Sequence, residues 1–345
     1  MSTKTATNEE ASSYKTLREN STSINDSMDD DVKLSLKPND DDGNVYEYFT
    51  LYGTQRVTVI GDISSDKPII ITYHDIGVNH KMCFGSFFNT LTNNETIYKY
   101  CTIIHIDCPG HHENAKTTSD KIESFDIEEL SNGIEYIREK LNINKPFIAV
   151  GLGAGCSVWS YYAANYSFRI RGLILINPVC SENTWSELIA EYAIKYFTTK
   201  NSWIQSSLYS SLCSRYFPRG TKKNANVKEL VGYFYKSIKS MNKENVVKYF
   251  RGFIKRQELT EDLLSKINCY TLVIAGYNAS TYKDSILYQR KLNKRLTTFV
   301  NLDYSGFLLT VTEPQKIIGP ITLFLNTLGI TLLSMQSKYK KQIKQ

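Results

Sequence analysis

A glycine cluster has the spacing of a serine-hydrolase nucleophile motif but lacks the nucleophile. The apolar residues 147–150 lead into Gly151-x-Gly153-x-Gly155, and small residues follow. In hydrolases that carry G-x-S-x-G, this strand–turn–helix exposes the nucleophilic serine on a sharp, strained turn. Glycine has no side chain that can attack a carbonyl carbon. The spacing therefore predicts the turn, a degenerate elbow, without its chemistry.

The other members of a hydrolase triad are also missing. An acid and then a histidine follow the nucleophile in the usual chain order. All five histidines precede the glycine cluster: His74, His80, His105, His111 and His112. The strand ending at Gly276 is followed by Tyr277-Asn278, with Asp284 as the nearest carboxylate, and Tyr304–Phe307 stands where the histidine is expected. We therefore predict that the chain has no catalytic residues and is not an enzyme.

Neighbouring side chains offer no substitute chemistry. Cys156 and Ser157 fall in the first helical turns after Gly153, where a buried structural thiol is expected. Adjacent residues rarely point at one ion, so His111-His112-Glu113 predicts no metal site. The glycine spacing departs from the dinucleotide motif G-x-G-x-x-G because the third glycine comes one residue early. We predict no metal and no cofactor.

Three polar residues form a second candidate group. His74 and Asp75 follow the apolar run 68–73, and Asp107 closes the run 101–107. Hydrolases place backbone amides of the oxyanion hole in the loop that contains the first two. We expect a structural polar network or pocket in which His74 hydrogen-bonds Asp107 or a neighbouring loop. A non-standard catalytic site at these residues is the alternative.

Alternating strands and helices must position these residues. That rhythm predicts an α/β fold with a mostly parallel sheet flanked by helices. We expect strands at 45–53, 55–61, 68–73, 101–107, 147–150, 172–178, 270–276 and 297–302, and helices at 126–141, 227–238, 243–254 and from the glycine cluster to about 165.

Composition divides the chain into four parts. Residues 1–44 are rich in Ser, Thr, Asn and Asp, which predicts a disordered tail. Residues 45–180 and 266–335 form the predicted core. Residues 181–265 contain no expected strand and are predicted to form a helical cap over the carboxyl edge of the sheet. Residues 336–345 form a short basic tail.

The C-terminal apolar run and the cysteines bear on location. Residues 317–337 contain no charged side chain. We expect a last helix packed on the sheet rather than a tail anchor, and the lysines behind it leave peripheral membrane or lipid contact open. Seven scattered cysteines without CxxC spacing, and no apolar signal region, predict a cytoplasmic protein with partial membrane association as the alternative. The net charge of +6 lacks any nucleic-acid motif, so no nucleic acid is expected.

These segments, in this order, resemble the N-myc downstream-regulated (NDRG) family of α/β-hydrolase-fold proteins. Ile71–Phe84 is similar to its Tyr-His-Asp-x-Gly-x-Asn signature, and His105–Gly110 to its His-x-Asp-x-Pro-Gly. Gly151–Gly155 resembles the serine-free elbow of the family, and Gly172–Asn177 the strand that follows it. Ser305–Leu309 departs from the Gly-Gly-Leu-Pro-Gln of the family. The resemblance spans about residues 46–330.

The resemblance implies a non-enzymatic adaptor or signalling protein. The expected roles are signal transduction, stress response, differentiation or vesicle trafficking, with protein partners that the sequence does not identify. A small-molecule or lipid-binding module under the cap is the first alternative, and a hydrolase with a non-standard site is the second. Regulation through a long phosphorylatable tail is not expected, because this chain ends in a short lysine-rich segment.

Overall fold

An eight-stranded sheet organises the chain. The computed structural model describes residues 43–89, 97–181, 212–213, 215–217 and 225–330. Most of the predicted N-terminal tail, the larger part of residues 181–224 of the predicted cap, and the predicted basic tail lie outside the described residues. The strands are β1 Asn44–Thr50, β2 Gly53–Ile60, β3 Ile69–Tyr73, β4 Thr102–Ile106, β5 Phe147–Leu152, β6 Ile170–Ile176, β7 Thr271–Gly276 and β8 Thr297–Leu302.

The strand order is β1-β2-β4-β3-β5-β6-β7-β8. β1 and β2 are antiparallel, β2 and β4 are antiparallel, and every other pair is parallel. The chain moves outward in opposite directions from β3, which lies between β4 and β5. In open parallel sheets, sites form at this switch point, outside the carboxyl ends of the strands. His74 and Asp75 follow β3, Asp107 follows β4, and Gly153 and Gly155 follow β5, which itself contains Gly151.

Continuous apolar runs explain the central strands. Every residue of β3, β4, β5 and β7 is buried, as expected for parallel strands with helices on both faces. The described helices are α1 His80–Phe88, α2 Ile127–Lys140, α3 Ala154–Tyr166, α4 Ala225–Ser240, α5 Lys243–Lys255, α6 Glu261–Ser265, α7 Tyr282–Lys291, α8 Leu309–Thr312 and α9 Pro314–Thr327. The predicted α/β fold with a mostly parallel, helix-flanked sheet is therefore confirmed.

Local sequence sets the ends of these helices. Asp126 precedes α2, and its carboxylate accepts hydrogen bonds from the N–H groups of Glu128 and Glu129. Asn242 caps α5 in the same way. Such caps satisfy backbone donors that have no partner within the helix. The predicted helices at 126–141 and 243–254 consequently appear with bounds shifted by one residue at most at each end.

The described part of the C-terminal apolar run forms the expected last helix, whereas residues 331–337 of the run lie outside the described residues. α9 begins three residues before Ile317 and ends at Thr327, and Gly329 follows with a φ of +72°. The left-handed region that this φ occupies suits glycine and ends helices. α9 does bury Ile317, Ile321 and Phe324 against the core. Among the described residues, no helix combines the length and apolar character that crossing a membrane requires.

Candidate functional site

The glycine cluster forms the turn that its spacing predicts. Gly151 lies in β5, and Gly153 stands between β5 and α3 with a φ of +57° and a ψ of −115°. Residues with a side chain rarely adopt this positive φ, which explains why a glycine stands at this position. Gly155 is required by packing, since a Cβ there would lie 2.2 Å from the carbonyl oxygen of Tyr73. The strained strand–turn–helix of a nucleophile elbow is present.

The carboxylate of Asp75 fills the space in front of this turn. Its Oδ1 accepts a hydrogen bond of 2.7 Å from the backbone N–H of Ala154. A Cβ on Gly153 would lie 2.5 Å from the Asp75 carboxyl carbon and 2.8 Å from Cζ of Phe307. In hydrolases, the N–H of the residue after the nucleophile contributes to the oxyanion hole. An internal carboxylate and an aromatic ring thus occupy the positions of a substrate oxygen and a nucleophile side chain.

Two residues from the chain between β6 and β7 hold that carboxylate. Nε of Arg215 lies 3.0 Å from Oδ2 of Asp75, and the Tyr216 hydroxyl donates to the same oxygen at 3.2 Å. The guanidinium of Arg215 also lies over the Phe307 ring, 4.6 Å from its centre. Asp75 is fully buried, so its charge requires such partners. The predicted cap segment is joined to the elbow by an ion pair.

His74 is held as a neutral ring beneath Asp75. The backbone N–H of Cys108 donates to its Nε2 at 2.8 Å, so its Nδ1 carries the proton and donates to the Asp75 carbonyl oxygen at 2.7 Å. Burial lowers the pKa of His74, and the nearby Asp107 carboxylate offsets only part of that effect. Both ring nitrogens of His74 are hydrogen-bonded to backbone groups, those of Asp75 and Cys108. These contacts indicate a structural role for His74.

Asp107 pairs with a different histidine from the one expected. His80 donates from its backbone N–H and from Nδ1 to the two carboxylate oxygens, each at 2.8 Å. His74 Nε2 is 3.6 Å from Asp107 Oδ1, and its hydrogen bond comes from Cys108 instead. Of the two contacts expected for His74, the one with a neighbouring loop is therefore found, and the hydrogen bond with Asp107 is not formed. The reason is that α1 begins at His80 and presents its first turn to Asp107.

The hydrogen bonds from His80 favour the ionised form of the Asp107 carboxyl group. Burial would raise the pKa of this carboxyl group, but the contacts with His80 outweigh burial and hold the pKa below its usual range. The His80 ring stacks on His105, with centres 4.8 Å apart. A cavity of about 90 Å³ adjoins the pair and is also lined by Arg56 and Lys81. The ionised Asp107 anchors the start of α1.

The side chains of the His111-His112-Glu113 segment differ in burial, as expected of adjacent residues that point in different directions. His111 is fully buried, while His112 is partly exposed and Glu113 is exposed. Burial, together with His74, lowers the pKa of His111 to about 3. In the part of the chain that the structure describes, no group of three or more His, Cys, Asp or Glu side chains is arranged to hold a metal ion.

The side chains after the elbow are buried. The Cys156 thiol donates to the carbonyl oxygen of Ile176 at 3.3 Å, and burial raises its pKa well above the ordinary value. Ser157 is fully buried and its hydroxyl has no hydrogen-bond partner. Asp284, the only carboxylate near the usual acid position, accepts a hydrogen bond from the Ser181 N–H at 3.1 Å instead. The interpretation of Cys156 as a buried thiol is confirmed.

Sequence reasoning missed the residues that complete this arrangement. Arg215 and Tyr216 lie about 140 residues from Asp75, and no local pattern links them. Phe307 lies in the segment where the triad histidine is expected. An aromatic residue at that position was a signal that a ring could occupy the space of the missing histidine. The signal for His80 was Asn79, a helix-capping residue that predicts the start of α1 at that point.

Comparisons with known proteins agree with this architecture. The sequence model of the Ndr family matches residues 46–332 of this chain. An "NDRG-like protein" of Dictyostelium discoideum is 30% identical over 286 residues, which cover 79% of this chain and 82% of the relative. "Protein NDRG4-B" of Xenopus laevis is 27% identical and covers 84% of this chain and 78% of the relative.

Two of the solved structures that resemble this fold are an esterase and a hydrolase. A thermophilic esterase from Thermogutta terrifontis superposes with a TM-score of 0.66 at 17% identity, covering 83% of this chain and 99% of the esterase. A hydrolase from Pseudomonas aeruginosa PA01 gives a TM-score of 0.67 at 19% identity, covering 82% and 99%. The likeness establishes the α/β-hydrolase fold, and at these identities it concerns the fold alone.

Proposed function

Because the chain belongs to the Ndr family, we propose that it is a catalytically inactive α/β-hydrolase-fold protein that acts by binding other proteins as a cytoplasmic adaptor. The roles that fit such a protein are signal transduction, stress response, differentiation or vesicle trafficking. Fold alone assigns no activity, so the proposal depends on the site. The cysteines are buried and form no disulfide among the described residues, which suits the reducing cytoplasm.

One observation carries the inactivity. The Asp75 carboxylate binds the Ala154 amide and lies 2.5 Å from where a Gly153 side chain would begin. An oxyanion hole stabilises the negative charge that develops on a substrate oxygen. Here the Asp75 carboxylate already accepts the hydrogen bond of the Ala154 amide, and its negative charge would repel the charge that develops on a substrate oxygen. The site is filled electrostatically as well as sterically.

The histidines support the same conclusion. No histidine follows His112 in the sequence, and Phe307 stands beside Gly153 in the loop after β8. Activation of a nucleophile requires a base within hydrogen-bond reach. His74 is nearest in sequence to Asp75, but both of its nitrogens contact backbone groups. We infer that no histidine serves as a general base at the elbow.

Reaction with a fluorophosphonate probe and hydrolysis of p-nitrophenyl acetate test the inactivity. The purified full chain should show no labelling above that of heat-denatured protein and no turnover above buffer. A serine esterase assayed in parallel controls for the reagents. Stoichiometric labelling that a single substitution abolishes would overturn the proposal, as would turnover lost in His74→Ala with folding intact.

Binding of other proteins requires its own measurement. Proximity labelling in native cells, with the tagged full chain and a tag-only control, should enrich a reproducible set of cytoplasmic proteins. Enrichment no greater than with the tag alone would contradict the adaptor role while leaving the inactivity untouched. Peripheral membrane contact predicts that vesicles of anionic lipid co-sediment the full chain.

The filled elbow disfavours the alternative of a ligand pocket at the vacant nucleophile position. Asp75, Arg215, Tyr216 and Phe307 occupy the space that such a ligand would need. Native mass spectrometry of the purified full chain provides the check. A bound small molecule or lipid that survives purification at a fixed stoichiometry would favour the ligand-binding function instead.

A further inference from the structure

Exposed apolar side chains concentrate at one edge of the sheet. Among the described residues, five of the eleven most exposed large hydrophobic side chains lie at this edge: Val45, Tyr46, Phe49, Leu51 and Tyr136. The first three belong to β1, Leu51 to the turn after it, and Tyr136 to α2. β1 pairs with β2 on one side, and no described strand pairs with its other side. Clustered exposed apolar residues mark interaction surfaces.

A groove lies between the β1–β2 turn and α2. Its volume is about 230 Å³, and Phe49, Leu51, Leu130 and Tyr136 form its apolar walls. This volume accommodates one long side chain with part of the adjoining backbone. The walls are mainly apolar, but the lining also includes the polar side chains of Thr50, Gln55, Glu129 and Asn132, and two of these restrict what can bind.

The first of these is an unmet hydrogen-bond donor. Gln55 lines the groove with 1% of its surface exposed, and its Nε2 has no hydrogen-bond partner among the described residues. A buried donor without a partner carries a desolvation penalty. A bound ligand that offers an oxygen acceptor removes that penalty. The carbonyl group of a peptide is such an acceptor.

The second is a negative charge. Glu129 is the charged residue among those that line the groove, and Glu128 precedes it in the same exposed first turn of α2. No lysine or arginine is found among the described residues of the lining. Nζ of Lys140 lies 5.3 Å from the centre of the Tyr136 ring and covers that ring. A cationic side chain of a ligand would therefore contact Phe49 and Leu51 rather than Tyr136. The charge favours a cationic ligand and disfavours an acidic or phosphorylated one.

We propose that this groove binds an extended peptide segment of a partner protein that carries a lysine or arginine. The methylene stem of that side chain packs on Phe49 and Leu51, and its charged group pairs with Glu129. A rotation of the Gln55 side chain exposes Nε2, which is buried in the free protein, and the adjoining backbone carbonyl accepts its hydrogen bond. This inference rests on the proposed adaptor function and states the chemistry of its partner.

Selection from a random octapeptide phage library on the immobilised full chain tests the proposal. Recovered peptides should be enriched in lysine and arginine flanked by apolar residues. Fluorescence anisotropy then measures their affinities for Glu129→Gln, Gln55→Leu and Phe49→Ser. We expect each substitution to weaken binding at least fivefold. Thermal unfolding of each variant verifies that the fold is intact.

Two matched substitutions provide the controls. Glu139→Gln removes a charge from the same helix outside the lining, and Phe168→Ser removes an exposed ring elsewhere on the surface. Both should bind the selected peptides as the parent chain does. A library that returns no basic peptides, or affinities unchanged in the three groove variants, overturns the proposal.

Three further outcomes separate this inference from its premise. Self-association of the full chain that Phe49→Ser abolishes would assign the groove to a second copy and overturn the peptide proposal. Esterase turnover would instead overturn the proposed function. Partners found by proximity labelling that remain unchanged with Phe49→Ser would keep the adaptor role and exclude this groove as its binding surface.

Discussion

The Asp75 carboxylate and the Ala154 amide form a hydrogen bond of 2.7 Å across the elbow. Asp75 follows β3 and Ala154 begins α3, so the bond joins the loop after β3 to the first residue of a helix at the carboxyl edge of the sheet. An anion at the N-terminus of a helix is stabilised by the unpaired amides and the helix dipole. A feature that binds a substrate anion in related folds is here satisfied within the chain.

Gly153→Ser should destabilise the protein without creating activity. A Cβ at this position meets Asp75 at 2.5 Å and Phe307 at 2.8 Å, and the φ of +57° is strained for serine. Strain and overpacking together should lower the free energy of unfolding by about 2–4 kcal/mol. Urea unfolding measures this change, and p-nitrophenyl acetate hydrolysis measures activity.

Gly319→Ser is the matched control for this substitution. A Cβ on Gly319 meets nothing within 4 Å, and the residue lies in α9. Because serine favours helix more than glycine, its unfolding free energy should be unchanged or slightly raised. A Gly153→Ser protein as stable as the parent would contradict the filled elbow, and esterase turnover in it would reveal an unrecognised base.

Arg215→Met should cost more stability than loss of a surface ion pair. The variant leaves the fully buried Asp75 without its cation, although the Ala154 N–H and the Tyr216 hydroxyl still donate to it. Unpairing a buried charge costs about 3–5 kcal/mol, and the remaining donors place the expected loss near 3 kcal/mol. Chemical unfolding of Arg215→Met, Asp75→Asn and the double variant gives the coupling energy.

Arg56→Met serves as the comparison for that ion pair. Arg56 pairs with Glu47 at 3.2 Å, and both side chains are substantially exposed. Such a pair contributes less than about 1 kcal/mol. If the two arginine variants lose equal stability, or the double variant shows no coupling, Arg215 does not hold Asp75 as the geometry implies.

The sequence predicts the strands and the elbow because their causes are local. Apolar runs of five to seven residues between turn residues leave little choice for β3 to β7, and three glycines at alternate positions define the turn. The side-chain pairing cannot be derived in the same way. Whether Asp107 meets His74 or His80 depends on where α1 starts, a shift of a few ångströms that no periodicity encodes.

The Asp75–Arg215 contact is a stronger example of this limit. The partners are 140 residues apart, and the contact depends on how the segment between β6 and β7 lies over the elbow. The sequence indicated that a nucleophile and a base were missing, whereas the identity of the groups filling their places followed only from three-dimensional packing. Tertiary contacts of this kind are not specified by local pattern.

The cysteines should resist modification in the native protein. Burial raises the pKa of Cys101 and of Cys269 to about 12 and that of Cys180 to about 11, and thiols react as thiolates. DTNB should label the native chain slowly and all seven cysteines after addition of guanidinium chloride. Rapid labelling of several thiols without denaturant would contradict their burial.

Cys269 should account for the earliest native labelling. Its exposure of 7% is the largest among the described cysteines, whereas Cys101 is fully buried. Cys269→Ser should therefore remove the fastest phase of the DTNB reaction, and Cys101→Ser should leave that phase unchanged. If neither variant alters the time course, local opening rather than static exposure controls access.

Mild acid should destabilise the fold through His111. Burial lowers its folded-state pKa to about 3, against an ordinary value of 6.5, and the pKa of His74 is lowered in the same direction. Between these pH values the unfolded chain binds a proton that the folded chain does not, so stability falls as the pH decreases from about 6.5 towards 3. His111 alone removes about 1.4 kcal/mol of stability per pH unit as the pH falls through that window.

His111→Phe isolates this contribution. Phenylalanine keeps a ring beside Tyr249 and removes the titrating group, whose Nε2 has no hydrogen-bond partner in the fold. Urea unfolding at pH 7 and pH 5 should show a smaller loss of stability in the variant than in the parent chain. His112→Phe controls for loss of a histidine from the same loop. An equal pH dependence in His111→Phe and the parent would show that His111 is protonated in the folded state or reached by solvent.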